Sequence, residues 1–509
     1  HLEEWRRQWE RCDIRVDGPD RDQMAVRFAV YHLAAMGPQS DDRVSIAAKG
    51  IHGEGYKGHV FWDTEIFILP FYVAQFPDVA RRLLMYRYHT LPGARRKARE
   101  KGYRGAMYAW ESADSGDETT PKWSAPHPGT GERVRIWCGE LEDHITADVA
   151  YAVWNYCRWT GDRGFMKEHG MEMIVEAARF WASRAQWNEE KSRYEILGVI
   201  GPDEFHEHVN NNAFTNYMAR WTLLAAFRLA EDFPIKWEAL LRRLGISEAE
   251  LDEMRRVTNL LYLPLPDPVS GVIEQSEGYH GLEDVDLAEL KAIAEDSGKS
   301  VEENFGRERL IGSKLIKQAD VVMLGRLLPG LFGEDIWKAN WDYYEPRTTH
   351  LSSLSASVHS TFASHLGLPE EAYAYFERCI SIELEDEKRN LEDGIHAANL
   401  GGIWQAVVRG FAGIQLLDPA SQDGSCCGRG KEADPVISIN PRLPKTWDRL
   451  EIPLACRGRH LRAVITPYRA AFANETQDAE ADGGGSVIIE CVGQRKRIAP
   501  GQSTEFVLD

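Results

Sequence analysis

The chain has 509 residues, 43% of them hydrophobic, which is enough for a large core and for more than one domain. Its formal net charge is −19 and its pI is about 5.4, which argues against nucleic acid or an anionic membrane as a partner. A neutral ligand such as a sugar fits this charge better.

The cysteine pattern bears on the cellular compartment. Eight cysteines are scattered along the sequence, and Cys426 and Cys427 form the one close pair. No Cys-x-x-Cys pair has zinc-ligand spacing, and a chain of this size needs no disulfides, so we expect a reducing, cytoplasmic setting. The first residues are charged and helix-like, which predicts no signal peptide. No run of about 18 apolar residues occurs, so we expect no membrane-spanning helix.

Most of the chain has a helical pattern. The first 18 residues are predicted to form a polar helix and a linker. Apolar residues then recur at three-to-four spacing, which predicts helices over 22–36, 61–74, 78–91, 145–159, 166–187, 215–232, 237–243, 248–261, 318–328, 355–366, 370–384 and 398–416. Residues 93–140 form a long polar segment with little periodicity, and such long loops are usually functional.

After Gly430 the pattern changes to short apolar stretches between turn residues, which predicts a small β-sandwich. The predicted strands are 437–440, 450–454, 461–466, 486–491 and 505–508. About a dozen helices with few strands between them predict paired helices in a closed ring, an α/α barrel. A helical solenoid is the alternative, but no fixed repeat length is visible. We therefore expect a mainly α chain with a helical linker (1–19), a barrel (20–430) and a C-terminal β-sandwich domain (431–509).

The stretch from 199 to 220 is the strongest candidate for catalysis. It turns at Gly201-Pro202, places Asp203, Glu204, His206, Glu207 and His208 in six positions, and then becomes an apolar helix. A titratable cluster on a short loop between rigid elements is a frequent arrangement in active sites. Glu204 directly follows the turn, so it could project from the rim of a pocket. The alternative is an ordinary solvated acidic loop.

A second segment, GHVFWDTE at 58–65, places a tryptophan and carboxylates at the start of an apolar helix. Trp62 offers an apolar face to a sugar, and Asp63 could accept hydrogen bonds from sugar hydroxyls. Helix capping is the alternative for the acids, because the helix dipole favours them there. Trp110 and Glu111, in the long polar segment, form a similar pair for substrate binding.

Two other patterns suggest a metal site and a phosphate loop, but both have the wrong spacing. His206-x-His208 lacks a third ligand at helical spacing, so zinc is disfavoured and we expect no metal. Gly306 to Lys314 has the wrong spacing for a phosphate loop and is rejected. Lys317 and Gln318 open an apolar helix, where they could cap it or clamp a ligand.

Two later segments could bind an anion. His350 to Ser355 (HLSSLS) and Gly394 to Gly402 (GIHAANLGG) each lead into a predicted helix. Hydroxyls, an imidazole and free backbone N–H groups at helix N-termini form a natural phosphate site. Ordinary N-capping explains either segment taken alone.

Six motifs occur in this order: GHVFWDTE, WES, GPDEFHEHVNNNAFTN, KQADVV, HLSSLS and GIHAANLGGIWQAV. Together they closely resemble glycoside hydrolase family 65, which contains inverting phosphorylases of α-glucosyl disaccharides such as maltose, trehalose, kojibiose and nigerose, together with some hydrolases. The resemblance extends from the first residues to about residue 470. It implies an (α/α)6 barrel followed by a small β-domain.

The resemblance also assigns roles to residues. It implies that Glu204 is the general acid that protonates the glycosidic oxygen. The residues that match the site of the non-reducing glucose are Trp62, Asp63, Lys317 and Gln318. The residues that match the phosphate site are Ser352, Ser353 and His396. No cofactor is implied, because inorganic phosphate is the co-substrate.

The choice between phosphorolysis and hydrolysis depends on a second carboxylate. An inverting hydrolase needs one as a base for water, whereas phosphate is already anionic. The loop from Thr348 to Ser355 carries Ser352 and Ser353 for phosphate and has no acid, so phosphorolysis is favoured. The motif GPDEFHEHV looks most similar to that of kojibiose- or nigerose-type members of the family. An inverting α-glucoside hydrolase of the trehalase or kojibiose hydrolase type is the alternative.

The family pattern also sets expectations beyond this chain. Family members usually carry a large N-terminal β-sandwich before the helical linker, and this sequence starts at the linker. A sugar-binding protein without turnover is therefore a third hypothesis. The expected partners are a disaccharide and phosphate, without nucleic acid or membrane, and the resemblance implies a homodimer.

Overall fold

The computed structural model describes residues 1–50, 52–126, 129, 131–297, 304–387, 390–417, 434–476 and 485–508. Its longer helices in chain order are α1 Leu2–Cys12, α2 Asp20–Met36, α3 Leu69–Gln75, α4 Pro77–His89, α5 Leu91–Glu100, α6 Ile145–Thr160, α7 Met171–Arg184, α8 Ala213–Asp232, α9 Pro234–Leu244, α10 Glu248–Leu260, α11 Leu287–Ser297, α12 Val321–Leu327, α13 Glu334–Tyr344, α14 Ser355–His365, α15 Pro369–Leu384 and α16 Ala397–Gln405. A π-helical segment, Thr64–Ile68, runs directly into α3, and Ala406–Phe411 continues α16.

Six of these helices form a closed inner ring. The order of contacts around it is α3 with its π-helical start, α6, α8, α12, α14, α16 and back to the start of α3. An outer helix packs on each inner one, so the helices are paired: α4, α7, α10, α13, α15 and α2. The chain is therefore an (α/α)6 barrel, as the helical pattern and the motifs predicted.

Small residues let the inner helices approach closely. A Cβ atom at Gly402 in α16 would lie 2.4 Å from the side chain of Ser357 in α14, so only glycine fits there. About two turns later, Gly410 lies beside Ser364 of α14. Both contacts advance in the same direction, so α14 and α16 are parallel. All residues from Ala397 to Gln405 are buried, as expected for an inner helix.

The C-terminal strands form two sheets. The strands are β1 Arg15–Asp17, β4 Gln415–Leu417, β5 Val436–Ile439, β6 Arg449–Cys456, β7 Arg459–Thr466, β8 Arg469–Asn474, β9 Val487–Cys491, β10 Gln494–Ile498 and β11 Ser503–Val507. One sheet has the order β1-β6-β7-β8-β11 and is antiparallel; the other has the order β10-β9-β5-β4, with β5 and β9 parallel. A short hairpin, β2 Gln186–Asn188 with β3 Arg193–Glu195, stands apart. The predicted β-domain is confirmed.

Several element predictions were wrong in detail. The helix predicted over 166–187 ends at Arg184, and β2 follows. The helix predicted over 398–416 ends at Phe411, because Gly413 turns the chain with φ +62° and β4 begins. The segment 93–140, predicted as a loop, contains most of α5. Pro92 and Gly93 in the first turn of this helix interrupt the apolar spacing that would have indicated it.

Other elements were not predicted at all. The helices α11 and α13 were missed, although α13 buries Trp337, Trp341 and Tyr344 at helical spacing. Strand β8 has alanine at buried and at half-buried positions, and β10 is a mostly charged strand, so neither has a clear apolar alternation. The linker contains β1, which pairs with β6. The predicted boundary at residues 430 and 431 and the Cys426–Cys427 pair lie outside the described residues.

In the described part of the chain, helices that are long and apolar enough to cross a membrane do not occur.

Candidate active site

The loops that precede the inner helices meet at one end of the barrel. The ring of Trp62, at the start of the first inner helix, lies 5.0 Å from that of His144, which precedes α6. His144 also lies 5.5 Å from the ring of Phe214 in the first turn of α8. Asn212 Nδ2, before α8, donates to Asp320 Oδ2, before α12, at 3.0 Å. Four helix starts therefore lie side by side.

The other two helix starts lie at the same end. The N–H of Thr349, six residues before α14, donates to the carbonyl of Ile316 in the loop ahead of α12 at 2.8 Å. Because α16 is parallel to α14, its first residue, Ala397, lies at this end too. The partial positive charge of each helix N-terminus favours anions here. These loops form the candidate active site.

Asp203 fastens the acidic loop to the segment before α12. It is 1% exposed, and its carboxylate accepts from the N–H of Lys317 at 2.7 Å, from Gln275 Nε2 at 3.0 Å and from His206 Nδ1 at 2.5 Å. The side chain of Glu204, the next residue, remains 26% exposed. A buried carboxylate therefore holds the loop in place, while its neighbour stays accessible for chemistry.

His206 uses both ring nitrogens inside this loop. Nδ1 faces the Asp203 carboxylate, and Nε2 faces the carbonyl oxygen of Ser313 at 2.9 Å, so both must donate and the ring is an imidazolium. Burial opposes this charge, but Asp203 outweighs it and raises the pKa of His206. Neither nitrogen is free to ligate a metal.

Lys317 and Gln318 both contact the acidic loop. Lys317 Nζ donates to Glu204 Oε2 at 2.9 Å, and Gln318 Nε2 donates to the carbonyl of Pro202 at 2.5 Å. Burial disfavours the ammonium, yet the Glu204 carboxylate keeps the pKa of Lys317 above its ordinary value. Oε1 of Gln318 is buried without a hydrogen-bond partner, so it can accept from a bound hydroxyl.

Trp62 and Asp63 lie at the start of the first inner helix. Trp62 is 5% exposed, and Asp63 makes no side-chain hydrogen bond that caps the helix. Burial raises the pKa of Asp63 to about 7, and the nearby charges of Glu65 and Glu204 add to the effect. The capping interpretation of Asp63 therefore lacks the hydrogen bond it requires.

Trp110 and Glu111 have different surroundings. Trp110 Nε1 donates to Glu142 Oε2 at 2.7 Å, which directs this tryptophan to the acidic centre. Glu111 is 5% exposed, and its Oε1 lies 2.7 Å from Nδ1 of His59. The motif neighbour His59 thus orients one oxygen of Glu111.

Glu142 and His144 belong to the site but were not predicted. Cys138 Sγ and carboxylate oxygens of Glu142 and Glu204 all lie within 4.8 Å of one another. His144 Nδ1 pairs with Asp148 Oδ2 at 2.7 Å, and its Nε2 lies 3.3 Å from Glu142 Oε2. Burial opposes the imidazolium, but the two carboxylates raise the pKa of His144 to about 10. Burial in turn raises the pKa of Glu142.

Ser352 and Ser353 lie on the loop before α14. Both are half-buried, and the Ser352 hydroxyl accepts from the N–H of Leu354 at 3.2 Å. His350 adopts a positive φ of 55° and places Nδ1 2.8 Å from the hydroxyl of Ser355. The two serines thus stand directly ahead of a helix N-terminus, as predicted.

His396 directly precedes α16 and contacts a lysine and a glutamate. Its Nε2 lies 2.9 Å from Lys49 Nζ, and its Nδ1 lies 3.0 Å from Glu383 Oε1. An ammonium can only donate, so Nε2 accepts from it and Nδ1–H donates to the carboxylate. Burial lowers the pKa of Lys49. A histidine, a lysine and a carboxylate therefore converge beside this helix start.

Comparison with known proteins agrees with this geometry. The glycosyl hydrolase family 65 central catalytic domain matches residues 27–405, a range that holds every site residue above, and the glycosyl hydrolase family 65, C-terminal domain, matches residues 431–482. The chain belongs to glycosyl hydrolase family 65.

This family 65 chain is similar to several phosphorylases. It is 48% identical to a kojibiose phosphorylase of Halothermothrix orenii over 93% of this chain and 58% of that protein. Identity is 42% to a kojibiose phosphorylase of Thermoanaerobacter brockii, over 92% of this chain and 58% of the relative. Identity is 35% to a nigerose phosphorylase of Lachnoclostridium phytofermentans, over 90% of this chain and 60% of that relative. The chain thus spans less than two thirds of the length of these relatives.

A solved structure also resembles the whole of this family 65 chain. A protein from the human microbiome superposes on it with a TM-score of 0.87 at 27% identity, over 100% of this chain and 68% of the other. This chain and that protein therefore share the fold of the barrel and of the β-domain.

Sequence reasoning missed four members of this family 65 site: Lys49, Glu142, His144 and Glu383. A signal existed for two of them, because Glu142-Asp143-His144 directly precedes an apolar helix, as the recognised motifs do. Lys49 and Glu383 offered none, since each is recognisable only through its contact with His396.

Proposed function

We propose that this chain catalyses inverting phosphorolysis of an α-glucosyl disaccharide of the kojibiose or nigerose type. The products would be β-glucose 1-phosphate and the released sugar. The observation that carries the proposal is an accessible Glu204 among six helix N-termini, with hydroxyl-bearing and cationic groups at two of them. The names of the relatives at 35–48% identity support the same chemistry.

The proposed reaction uses one protein acid. Glu204 donates its proton to the glycosidic oxygen as the bond from that oxygen to C1 of glucose breaks. A phosphate oxygen attacks C1 from the opposite face and inverts its configuration. The proton ends on the hydroxyl of the released sugar, and Glu204 is reprotonated from solvent or phosphate. The Lys317 ammonium, 2.9 Å from Glu204, is within reach of the same sugar.

We assign the glucose ring to the walls around this acid. Trp62 would supply an apolar face, and Asp63, with a pKa of about 7, could accept or donate a hydrogen bond to a sugar hydroxyl. The unpartnered Oε1 of Gln318 supplies a further acceptor. Trp110 and Glu111 would complete the wall opposite.

The phosphate is assigned to the starts of α14 and α16. Ser352 and Ser353 offer hydroxyls, and His396, whose two ring nitrogens contact Lys49 and Glu383, would position the buried Lys49 ammonium for the anion. A dianion at two helix N-termini is favoured by their dipoles and by charge-assisted hydrogen bonds. Phosphate is the co-substrate, and this chemistry requires no other cofactor.

The carboxylate spacing supports phosphorolysis over hydrolysis. Inverting hydrolases hold a water between carboxyl groups that are about 6.5–9.5 Å apart. Carboxylate oxygens of Glu142 and Glu204 lie within 4.8 Å of each other, below that range, and Glu142 also accepts from Trp110, so the pair lacks the spacing of an inverting hydrolase. Hydrolysis would instead need Asp63, whose raised pKa suits a base, on the opposite face of the sugar.

One incubation separates the hypotheses. Kojibiose, nigerose, maltose and trehalose are each supplied to the protein with and without inorganic phosphate. Turnover of one sugar that depends on phosphate is expected. Free glucose released equally without phosphate would establish the hydrolase, and binding without turnover in either condition would establish a sugar-binding protein.

We also propose a cytoplasmic setting and a homodimer. The scattered cysteines support the first, because Cys12, Cys138, Cys157, Cys379, Cys456 and Cys491 are all free. The family resemblance supports the second, and light scattering on the purified chain tests it. The net charge of −19 supports a ligand other than nucleic acid.

A further inference from the structure

A cavity lies at the end of the barrel opposite the candidate active site. It encloses about 520 Å³ and is lined by the later turns of three inner helices: Tyr151 to Trp159 of α6, Gly325 to Leu327 of α12 and Thr361 to His365 of α14. Strand β4 closes one side. The candidate active site is at the starts of these same helices, so the two sites lie at opposite ends of the barrel.

Arginines dominate the charge of this cavity. Arg158, Arg326 and Arg409 all line it, although the chain as a whole carries a net charge of −19. Arg326 donates to Gln405 Oε1, and Nη1 lies 3.8 Å from the sulfur of Met323. Across the described residues, neither Arg326 nor Arg409 has a carboxylate within ion-pair distance.

The carboxylate of the cavity is already neutralised. Glu65 lines its inner end, but both of its oxygens accept from Arg87, each at 2.8 Å. It therefore cannot serve as the counter-ion of Arg326 or Arg409. The described lining has two half-buried positive groups and no anion for them.

Such an arrangement is costly without a ligand. Burial, followed by the charge of Arg409, lowers the pKa of Arg326 to about 9, and burial lowers that of Arg409 as well. Both guanidinium groups still carry their charge at neutral pH. A charge withdrawn from water is normally paired, and the described residues supply no partner, so a bound anion is expected to supply it.

We infer that this cavity is a binding site for a small organic oxyanion, a phosphate ester or a carboxylate, held between Arg326 and Arg409. Guanidinium groups bind both kinds of oxyanion through paired N–H donors. The volume lies in the range of about 300–1,000 Å³ typical of small-molecule sites. Apolar lining from Leu69, Val73 and Leu327 favours an anion with an organic body over a bare ion.

The inference does not depend on the proposed function, because binding can be measured without turnover. Thermal unfolding is recorded with glucose 6-phosphate, citrate or neutral glucose at constant ionic strength. We expect one of the two anions to raise the melting temperature in a saturable way, and which of them does so distinguishes phosphate ester from carboxylate. Any shift caused by neutral glucose, which the active site can bind, should be the same in Arg409→Gln as in the wild type.

Variants locate the effect. In Arg409→Gln, the half-saturating anion concentration should rise about tenfold or more, because a charge-assisted hydrogen bond is lost. Without anion, this variant should be at least as stable as the wild type. Ser353→Ala, at the other end of the barrel, should respond as the wild type does. An equal response in Arg409→Gln, or no response of the wild type to either anion, would overturn the inference.

A direct observation decides the matter if Arg409→Gln does not fold. Wild-type crystals soaked in tungstate, an oxyanion with strong anomalous scattering, should show a peak between Arg326 and Arg409. A peak only at the starts of α14 and α16, or no peak, would refute the site.

Discussion

Replacing Glu204 by glutamine tests the catalytic acid with little change in shape. The amide keeps an oxygen that can accept from Lys317 Nζ, which now donates to Glu204 at 2.9 Å, but it has no proton to give to a glycosidic oxygen. The loop should stay in place, since Asp203, rather than Glu204, makes the hydrogen bonds that hold it.

The expected losses in activity and in stability differ widely. Positioned acid catalysis contributes about 10²–10⁴ in rate, which is about 3–5.5 kcal/mol of transition-state stabilisation. The Lys317–Glu204 pair is 28% and 26% exposed, so its loss should cost the fold less than about 1 kcal/mol. Glu204→Gln should therefore be folded and inactive.

The assay compares two substrates. Turnover of the natural disaccharide with phosphate should fall by a factor of about 10²–10⁴. Turnover of α-glucosyl fluoride should fall far less, because fluoride leaves without a proton. Glu207→Gln, the same substitution three residues further along, is the control and should keep both activities. Near-normal turnover of the disaccharide by folded Glu204→Gln would refute the assignment.

Three further predictions follow from the other site residues. Asp63→Ala should weaken disaccharide binding while the melting temperature changes little, since a first-turn acid contributes only about 0.3–1 kcal/mol to its helix; lost stability with unchanged kinetics would favour capping. Ser353→Ala and His396→Ala should each raise the KM for phosphate about ten- to a hundredfold and that for the disaccharide much less, which initial rates at varied phosphate would measure; equal effects on both would contradict the phosphate site. Burial, aided by Asp203, raises the pKa of Asp320 to about 7 from an ordinary 3.8, so its stabilising effect is complete below pH 4 and is lost as the pH rises through 7. Asp320→Asn should therefore gain about 2–3 kcal/mol of stability over the wild type between pH 5 and pH 8 in denaturant titrations, and a constant difference would contradict the raised pKa.

The parts of this molecule that could be predicted are those with local signals. Buried inner helices have unbroken apolar periods, and glycine, proline and asparagine mark the loops before them. The acidic loop around Glu204 and the segments of Trp62 and Ser353 could therefore be placed ahead of helices from sequence alone. Their meeting at one end follows only from closure of the ring.

The parts that could not be predicted depend on contacts between distant residues. Lys49 and His396 are 347 positions apart, and neither signals the other. Nor does the sequence distinguish Arg326 and Arg409 from ordinary polar positions on a helix, although they face one cavity. Strand β8 was missed because alanine occupies both its buried and its half-buried positions, so the sequence does not separate its two faces.

Inverting phosphorolysis is tested most directly by identifying the first sugar product by NMR. Kojibiose, or the best substrate of the panel, is incubated with the protein and inorganic phosphate, and the anomeric signals are followed from the first turnovers. We expect β-glucose 1-phosphate in an amount equal to the released sugar, and no reaction when phosphate is left out. Formation of the α-anomer, or release of free glucose at the same rate without phosphate, would contradict it.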